Sequence, residues 1–281
     1  MIKSPINYNG NKYKILKHIL DVFPDNINVF VDVFGGSGVV SLNVQADKII
    51  YNDIVFYISD VLKGIKESES FDIILDEIDK IIEKYSLSKY NEEGFLKIRE
   101  DYNNGDNNWI MFFILICYSF NTQYRFNNKH QYNSSFGRNK SHFSSHTQKK
   151  LELAYNRLQE INISFQNEDF RNIDFSSLTK DDFVYFDPPY SGTTGNYNDG
   201  KRGFLGWNDE LENALRTTCE HLNNRGVKFA MSNNLATNLT LEDWCIKNNF
   251  NIIHIDNNYN NSSYNKMDKT VDDEVVITNY I

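Results

Sequence analysis

A run rich in valine and phenylalanine, Val29-Phe30-Val31-Asp32-Val33-Phe34, empties directly into Gly35-Gly36-Ser37-Gly38. A short apolar run bounded by glycines reads as a buried strand. The segment Val39 to Val44 resumes as a helix start, and Lys48 to Tyr51 follow as a second strand candidate closed by Asn52-Asp53. Strand, loop, helix and strand in that order make a β-loop-α-β unit, the phosphate- or nucleotide-handling half of an α/β sheet.

The rest of the chain fits that frame after an interruption. Asn11 to Phe23 has apolar residues at helical spacing and stops at Pro24. Residues 54 to about 120 read mainly helical: Ile74, Leu75, Ile78, Ile81 and Ile82 share one face, and Trp109 to Tyr118 is apolar enough to be a buried helix. Residues 121–145 lack helical periodicity and resemble two short strands and a turn. Thr147 to Gln159 returns to helix, with Thr147 a plausible N-cap. From there strands are expected at Ile161–Phe165, Phe183–Phe186, Val227–Met231, Asn251–Ile255 and Val275–Asn279, with helices over Glu210–Asn223 and Glu242–Asn248. The expected architecture is an α/β sheet formed by residues 1–55 and 160–281, with a mostly helical insert at 56–159 that carries a β-hairpin.

The net charge of −9 argues against a polyanion partner until its distribution is considered. Residues 121–150 hold Arg125, Lys129, Arg138, Lys140, Lys149 and Lys150 and no acid, with Tyr124, Phe126, Tyr132, Phe136 and Phe143 between them. A basic, aromatic-rich segment on an acidic body is a footprint for nucleic acid, against the alternative of a solvated loop that lacks acids. An aromatic content of 14% argues against disorder. Asparagine is abundant and reads as compositional bias. Cys117, Cys219 and Cys245 have no metal-ligand spacing and are expected as reduced core thiols. With no signal-peptide pattern and no apolar run of transmembrane length, a cytoplasmic protein is expected.

The most informative tetrapeptide is Asp187-Pro188-Pro189-Tyr190, which follows the apolar run Phe183-Val184-Tyr185-Phe186. The exocyclic amine of a nucleobase is a poor nucleophile because its lone pair is delocalised into the ring. A carboxylate and a backbone carbonyl, held rigid by two prolines, can accept both amine hydrogens and localise that pair. A neighbouring tyrosine can stack on the base. Each proline fixes φ and removes a donor, leaving a turn rich in acceptors. An ordinary strand-ending turn is the alternative. Upstream, Gly36-Ser37-Gly38-Val39-Val40-Ser41 half-matches a dinucleotide fingerprint, with Ser41 in place of the third glycine and Asp53 at a distance suited to a ribose.

Taken in order, these motifs are similar over nearly the whole chain to the Dam-like, D12-class adenine-N6 DNA methyltransferases of the alpha group. Tyr8-Asn9-Gly10-Asn11-Lys12 looks like that family's N-terminal cofactor motif, and Asp32-Val33-Phe34-Gly35-Gly36-Ser37-Gly38 like its glycine-rich loop. Asn52-Asp53-Ile54 resembles the element whose acid holds the ribose hydroxyls. Phe165 to Phe170, with Asp169, is similar to the segment that contacts the cofactor adenine. Asp187-Pro188-Pro189-Tyr190 looks like the catalytic tetrapeptide.

The resemblance implies a Rossmann-like methyltransferase sheet, S-adenosyl-L-methionine as cofactor and S-adenosyl-L-homocysteine as product. It implies no metal, double-stranded DNA as partner, a monomeric working unit, and a bacterial or phage origin. It also makes the basic segment a recognition hairpin. Arg125 is then expected to read a guanine edge, and Asn121 to sit near a flipped base. Gln123, Asn127, Ser135, Arg138 and Lys140 are further DNA contacts, and Ser262, Ser263 and Lys266 form a phosphate-contacting loop. Asp273-Glu274 begins the last strand, as in relatives.

This chain departs from the pattern at Asn7, where some relatives have a base-reading lysine. It departs again at Gln123 and Ser135, where relatives that methylate GATC often carry apolar residues. GATC, CATG and other short sites all stay open.

Several residues have a second reading. Asp53 could cap a helix, Tyr8 belong to the core, Asp169 serve a turn, and Arg125 meet phosphate instead of base. Lys140, Lys149 and Lys150 could be phosphate contacts or simply solvated. Ser232-Asn233 could line the pocket without an assignable role. Competing functions are cytosine-N4 methylation, a DNA-recognition protein without turnover, and a nicotinamide-dependent dehydrogenase.

Overall fold

β1 (Val29–Asp32) and β2 (Lys48–Asn52) form where the two apolar runs place them, and they pair in parallel. The computed structural model describes residues 1–8, 10–105, 107–190, 206–255 and 273–281, with a short strand pair at Tyr197–Asn198 (β5) and Phe204–Leu205 (β6). The remaining strands are β3 (Ile163–Gln166), β4 (Phe183–Phe186), β7 (Lys228–Asn234), β8 (Asn251–His254) and β9 (Glu274–Thr278). They join β1 and β2 in one sheet, ordered β3-β2-β1-β4-β7-β9-β8. β3 through β7 in that order run parallel, and β9 lies antiparallel between β7 and β8.

Strand periodicity divides the core into two. Phe30, Phe183, Tyr185 and Ala230 face one side; Val31, Val184, Phe186, Phe229 and Met231 face the other. The second side is covered by α7 (Asp209–Asn224) and α8 (Leu241–Asn248), through Leu215, Leu222 and Trp244 and the thiols of Cys219 and Cys245. The first side is covered by α1 (Leu16–Asp21) and α2 (Phe56–Glu67). Beyond α2 lie α3 (Phe71–Lys84), α4 (Glu92–Asn103), α5 (Trp109–Tyr118) and α6 (Ser145–Glu160). α5 is buried from Met111 to Tyr118, apolar on all sides because other helices surround it. Apolar side chains of this helical segment and of the first sheet face form one continuous cluster. Asn91, Asn108 and Asn208 accept first-turn N–H groups at the starts of α4, α5 and α7, so part of the asparagine content serves as helix caps.

Three expectations are corrected. The helix expected over Val39 to Val44 is a string of hydrogen-bonded turns. Arg157 holds the end of these turns: its guanidinium takes the carbonyls of Leu42 (3.0 Å) and Val44 (2.9 Å). The N-cap of α6 is Ser144 rather than Thr147; the Ser144 hydroxyl accepts the Thr147 N–H at 3.2 Å. The segment 121–145 forms two isolated antiparallel pairings, Phe126 with Tyr132 and Ser119 with Phe136, in place of a regular ladder. The Asn127 side-chain oxygen accepts from Lys129 N–H and Gln131 N–H, and the Gln131 N–H is one that a regular ladder would use.

Candidate active site

Register decides where the site lies. Asp32 at the end of β1 pairs with Tyr51 of β2 and Tyr185 of β4, so the three strands end level. The residues after each strand, Gly35-Gly36, Asp53 and Asp187, therefore emerge along one edge of the sheet. It is the carboxyl edge, at the point where β2 and β4 lie on opposite sides of β1, which is where open α/β sheets bind ligands. A cavity of about 500 Å3 occupies that point.

One wall is the glycine loop. A side chain at Gly35 would strike the Tyr51 ring at 2.2 Å, and Gly38 has φ +73°. The Tyr51 hydroxyl donates to the Gly36 carbonyl at 2.6 Å. The Asp53 carboxylate accepts Gly36 N–H and Val55 N–H, both at 2.7 Å, tying the loop to the start of α2. Asp53 thus serves the start of the helix and lines the cavity at once. Burial pushes its pKa up to about 6 against those two bonds. Ser41, in place of the third fingerprint glycine, donates its hydroxyl to buried Asp32 at 2.6 Å. Burial pushes Asp32 up to about 7, and the Ser41 bond restrains the rise.

A second wall is aromatic. Phe34, Phe170 and Trp207 contact one another, with Phe34–Phe170 centroids at 5.4 Å and Trp207 5.8 Å from each. Trp207 had no assigned role in the sequence; its indole N–H donates to buried Glu212 at 2.8 Å, which fixes the ring. Asp169 lines the same wall but is engaged by Arg171, whose guanidinium approaches both its oxygens at 2.8 and 2.9 Å. Asp169 also accepts the Arg171 N–H, so the turn reading of this residue holds in the structure. Asn52, buried, joins the walls by donating to the carbonyls of Val33 and Glu168 and accepting the Glu168 N–H.

The third wall is the Asp-Pro-Pro-Tyr turn. The Lys12 ammonium lies 2.9 Å from Asp187, 3.6 Å from Glu274 and 4.7 Å from the Tyr190 ring centroid. The Tyr190 hydroxyl donates to Glu274 at 3.1 Å. Burial raises the Asp187 pKa, and Lys12 opposes that rise. Burial acts to lower the Lys12 pKa, but the Asp187 and Glu274 carboxylates outweigh it and the net shift is upward. Glu274 is the residue that sequence reasoning placed in a strand without a role. It lies 84 residues from Tyr190, and no local spacing could connect them.

Tyr8, Gly10, Lys12, Asp32, Phe34, Gly35, Gly36, Ser37, Asp53, Asp169, Phe170 and the whole tetrapeptide thus share one cavity. Gly38 supports the loop from behind, packed toward Leu62. Asn9 lies outside the described residues, as do Ser262, Ser263 and Lys266. Of the interface residues, Asn121, Gln123, Arg125, Ser135, Arg138 and Lys140 are exposed and Asn127 is half-buried within its turn. Asn121 and its neighbour Thr122 have positive φ, at 54° and 50°, a conformation that non-glycine residues adopt only under constraint. Arg125 bonds to the Asn133 side chain and carbonyl, and Arg138 pairs with Glu92. Of the interleaved aromatics, Tyr124 and Phe143 are half-buried and the other three turn inward. Phe126, Tyr132 and Phe136 are buried, and Phe126 stacks on Tyr57 at 4.5 Å.

Comparison with known proteins agrees with this geometry. The chain is 44% identical over 283 residues to Modification methylase StsI of Streptococcus sanguinis, and 46% identical over 283 residues to Type II methyltransferase M.FokI of Planomicrobium okeanokoites. Each alignment covers 99% of this chain and 43% of the relative, so the chain spans under half the length of these proteins. Type II methyltransferase M1.LlaDCHI of Lactococcus lactis subsp. cremoris is 25% identical over 286 residues, covering 97% of this chain and 94% of its own. The family model for D12 class N6 adenine-specific DNA methyltransferases matches residues 8–261, nearly the whole chain, and the chain belongs to that family.

Proposed function

We propose that the chain transfers a methyl group from S-adenosyl-L-methionine to the N6 amine of an adenine flipped out of a short duplex motif. The observation that carries this reading is the single cavity in which the glycine loop, the aromatic wall and Asp187-Pro188-Pro189-Tyr190 meet. Its lining suits such a cofactor. Asp53 presents a buried carboxylate suited to ribose hydroxyls, and Phe34, Phe170 and Trp207 offer a surface for a planar ring. Acids outnumber bases around the cavity, which favours a cationic ligand. S-adenosyl-L-methionine would supply an activated methyl group on a positive sulfonium and leave as S-adenosyl-L-homocysteine.

The chain's own contribution is alignment and charge placement. The Asp187 carboxylate and the Pro188 carbonyl accept the two amine hydrogens, and Tyr190 stacks on the adenine. The amine becomes strongly acidic only as the new bond forms, so no strong base is required before attack. The target atom is inaccessible in stacked DNA, so the adenine must leave the helix.

Residues 1–55 and 160–281 are the catalytic part in this reading, and 56–159 carry recognition. The outward side chains of the 121–140 segment, Gln123, Arg125, Ser135, Arg138 and Lys140, face the DNA. Arg125 has the fork geometry for guanine. The names of the relatives point to a modification role beside a restriction enzyme.

The test is single-molecule sequencing of plasmid DNA from a methylation-free host that expresses the chain. N6-methyladenine in one short motif is expected, and the motif decides among GATC, CATG and other sites. N4-methylcytosine, or unmodified DNA with folded protein present, would overturn the reading.

A further inference from the structure

The geometry of the turn poses a question for the reaction. The acceptor assigned to the amine, Asp187, already holds the Lys12 ammonium at 2.9 Å. An amine hydrogen would have to share that carboxylate with the lysine, whose charge weakens it as an acceptor. Lys12 is buried and cannot retreat to water, so releasing it without a second anion would leave a buried unpaired charge. Glu274 supplies the second anion. It lies 3.6 Å from the same nitrogen, comes from the first residue of β9, and is nearly as buried. It also accepts the Tyr190 hydroxyl at 3.1 Å.

We infer that Glu274 is a positioning residue that takes over the Lys12 ammonium when the target amine arrives, freeing Asp187 to accept an amine hydrogen. Lys12 is a two-position cation between Asp187 and Glu274, and its proton is retained throughout. The Tyr190–Glu274 bond couples the exchange to the ring that stacks on the base. The inference rests on the proposed methyl transfer and adds a residue to it.

The experiment uses the full chain with a duplex containing the motif found by sequencing. It measures single-turnover rate, S-adenosyl-L-homocysteine affinity and melting temperature for wild type, Glu274→Gln and Tyr190→Phe. Glutamine keeps an acceptor for the Tyr190 hydroxyl and removes only the charge. Tyr190→Phe removes only the hydroxyl link. The expected result for Glu274→Gln is a rate about 10- to 100-fold lower, at unchanged melting temperature and cofactor affinity. Tyr190→Phe should lose less. A Glu274→Gln rate within about twofold of wild type would overturn the inference, because Lys12 would then have another partner, such as the cofactor carboxylate. So would a rate loss that comes with lost cofactor affinity or a lowered melting temperature, because Glu274 would then be structural. A rate loss matched by Tyr190→Phe would assign the whole effect to the hydroxyl. Wild-type protein that neither binds the cofactor nor methylates DNA would fail the parent reading instead.

Discussion

The proposed catalytic turn and the proposed recognition segment use the same residue types in opposite ways. At the turn, the cation is inside: Lys12 is buried between Asp187 and Glu274, and Tyr190 lies under it. In the recognition segment, the cations are outside and the rings inside. Arg125 is exposed and held by Asn133, while Phe126 and Tyr132 pack against Tyr57 and Phe112. A buried charge must be paired, so the cation at the turn is held between two carboxylates. An exposed charge is solvated and interchangeable, so recognition can diverge without endangering the fold. Phe126, Tyr132 and Phe136 therefore form a core under the exposed cations of this segment, whereas Tyr190 is the stacking platform of the proposed catalytic site.

Each prediction tests one side of that contrast. The largest effect is expected for Asp187→Ala, which removes the amine acceptor: methylation should fall about a thousandfold or more while S-adenosyl-L-homocysteine still binds. Near-normal turnover would end the catalytic assignment. Phe126→Ala should destabilise the protein by about 3–5 kcal/mol, seen as a lowered denaturation midpoint, because it empties a packed aromatic site. If the protein melts normally and loses only DNA affinity, the inward placement of the rings is wrong. Arg125→Ala should leave stability untouched and weaken cognate DNA binding by about 1–3 kcal/mol, with relaxed discrimination at one base position. A uniform loss across all sequences, with a shallower salt dependence, would instead make Arg125 a phosphate contact.

A smaller effect should appear in the pH dependence of stability. Asp32 and Asp53 have folded-state pKa values raised to about 7 and about 6. A raised carboxyl pKa means the folded state holds its proton more tightly than the unfolded chain. The stability this contributes is full below the unfolded carboxyl range and is lost as pH rises through about 6 to 7. Asp32→Asn, which retains an acceptor for Ser41, should therefore raise the melting temperature more at pH 8 than at pH 5. An equal shift at both values would show that Asp32 titrates normally.

Much of this was legible in the chain. β4 and α5 lie where apolar runs bounded by turn residues put them, because a fully buried element needs no partner identity to be apolar. Many cofactor and catalytic candidates share one cavity because strands of a parallel sheet end together, and the glycine loop, Asp53 and Asp187 each sit just after a strand. What could not be read was set by distant partners. The turns after Gly38 are held at their end by Arg157, more than a hundred residues on, which takes the carbonyls of Leu42 and Val44.

By itself the sequence determined the α/β class, the order of the motifs and the chemical types gathered at the turn, since these follow from local apolar periodicity and from residues adjacent in the chain. Only the tertiary structure decided that the Phe126, Tyr132 and Phe136 rings point inward, that Trp207 completes the aromatic wall, and that Glu274 joins Lys12 and Tyr190. Each of these depends on which strand or helix lies beside which. That is fixed by sheet order and side-chain packing across the whole chain, and it leaves no trace in local spacing.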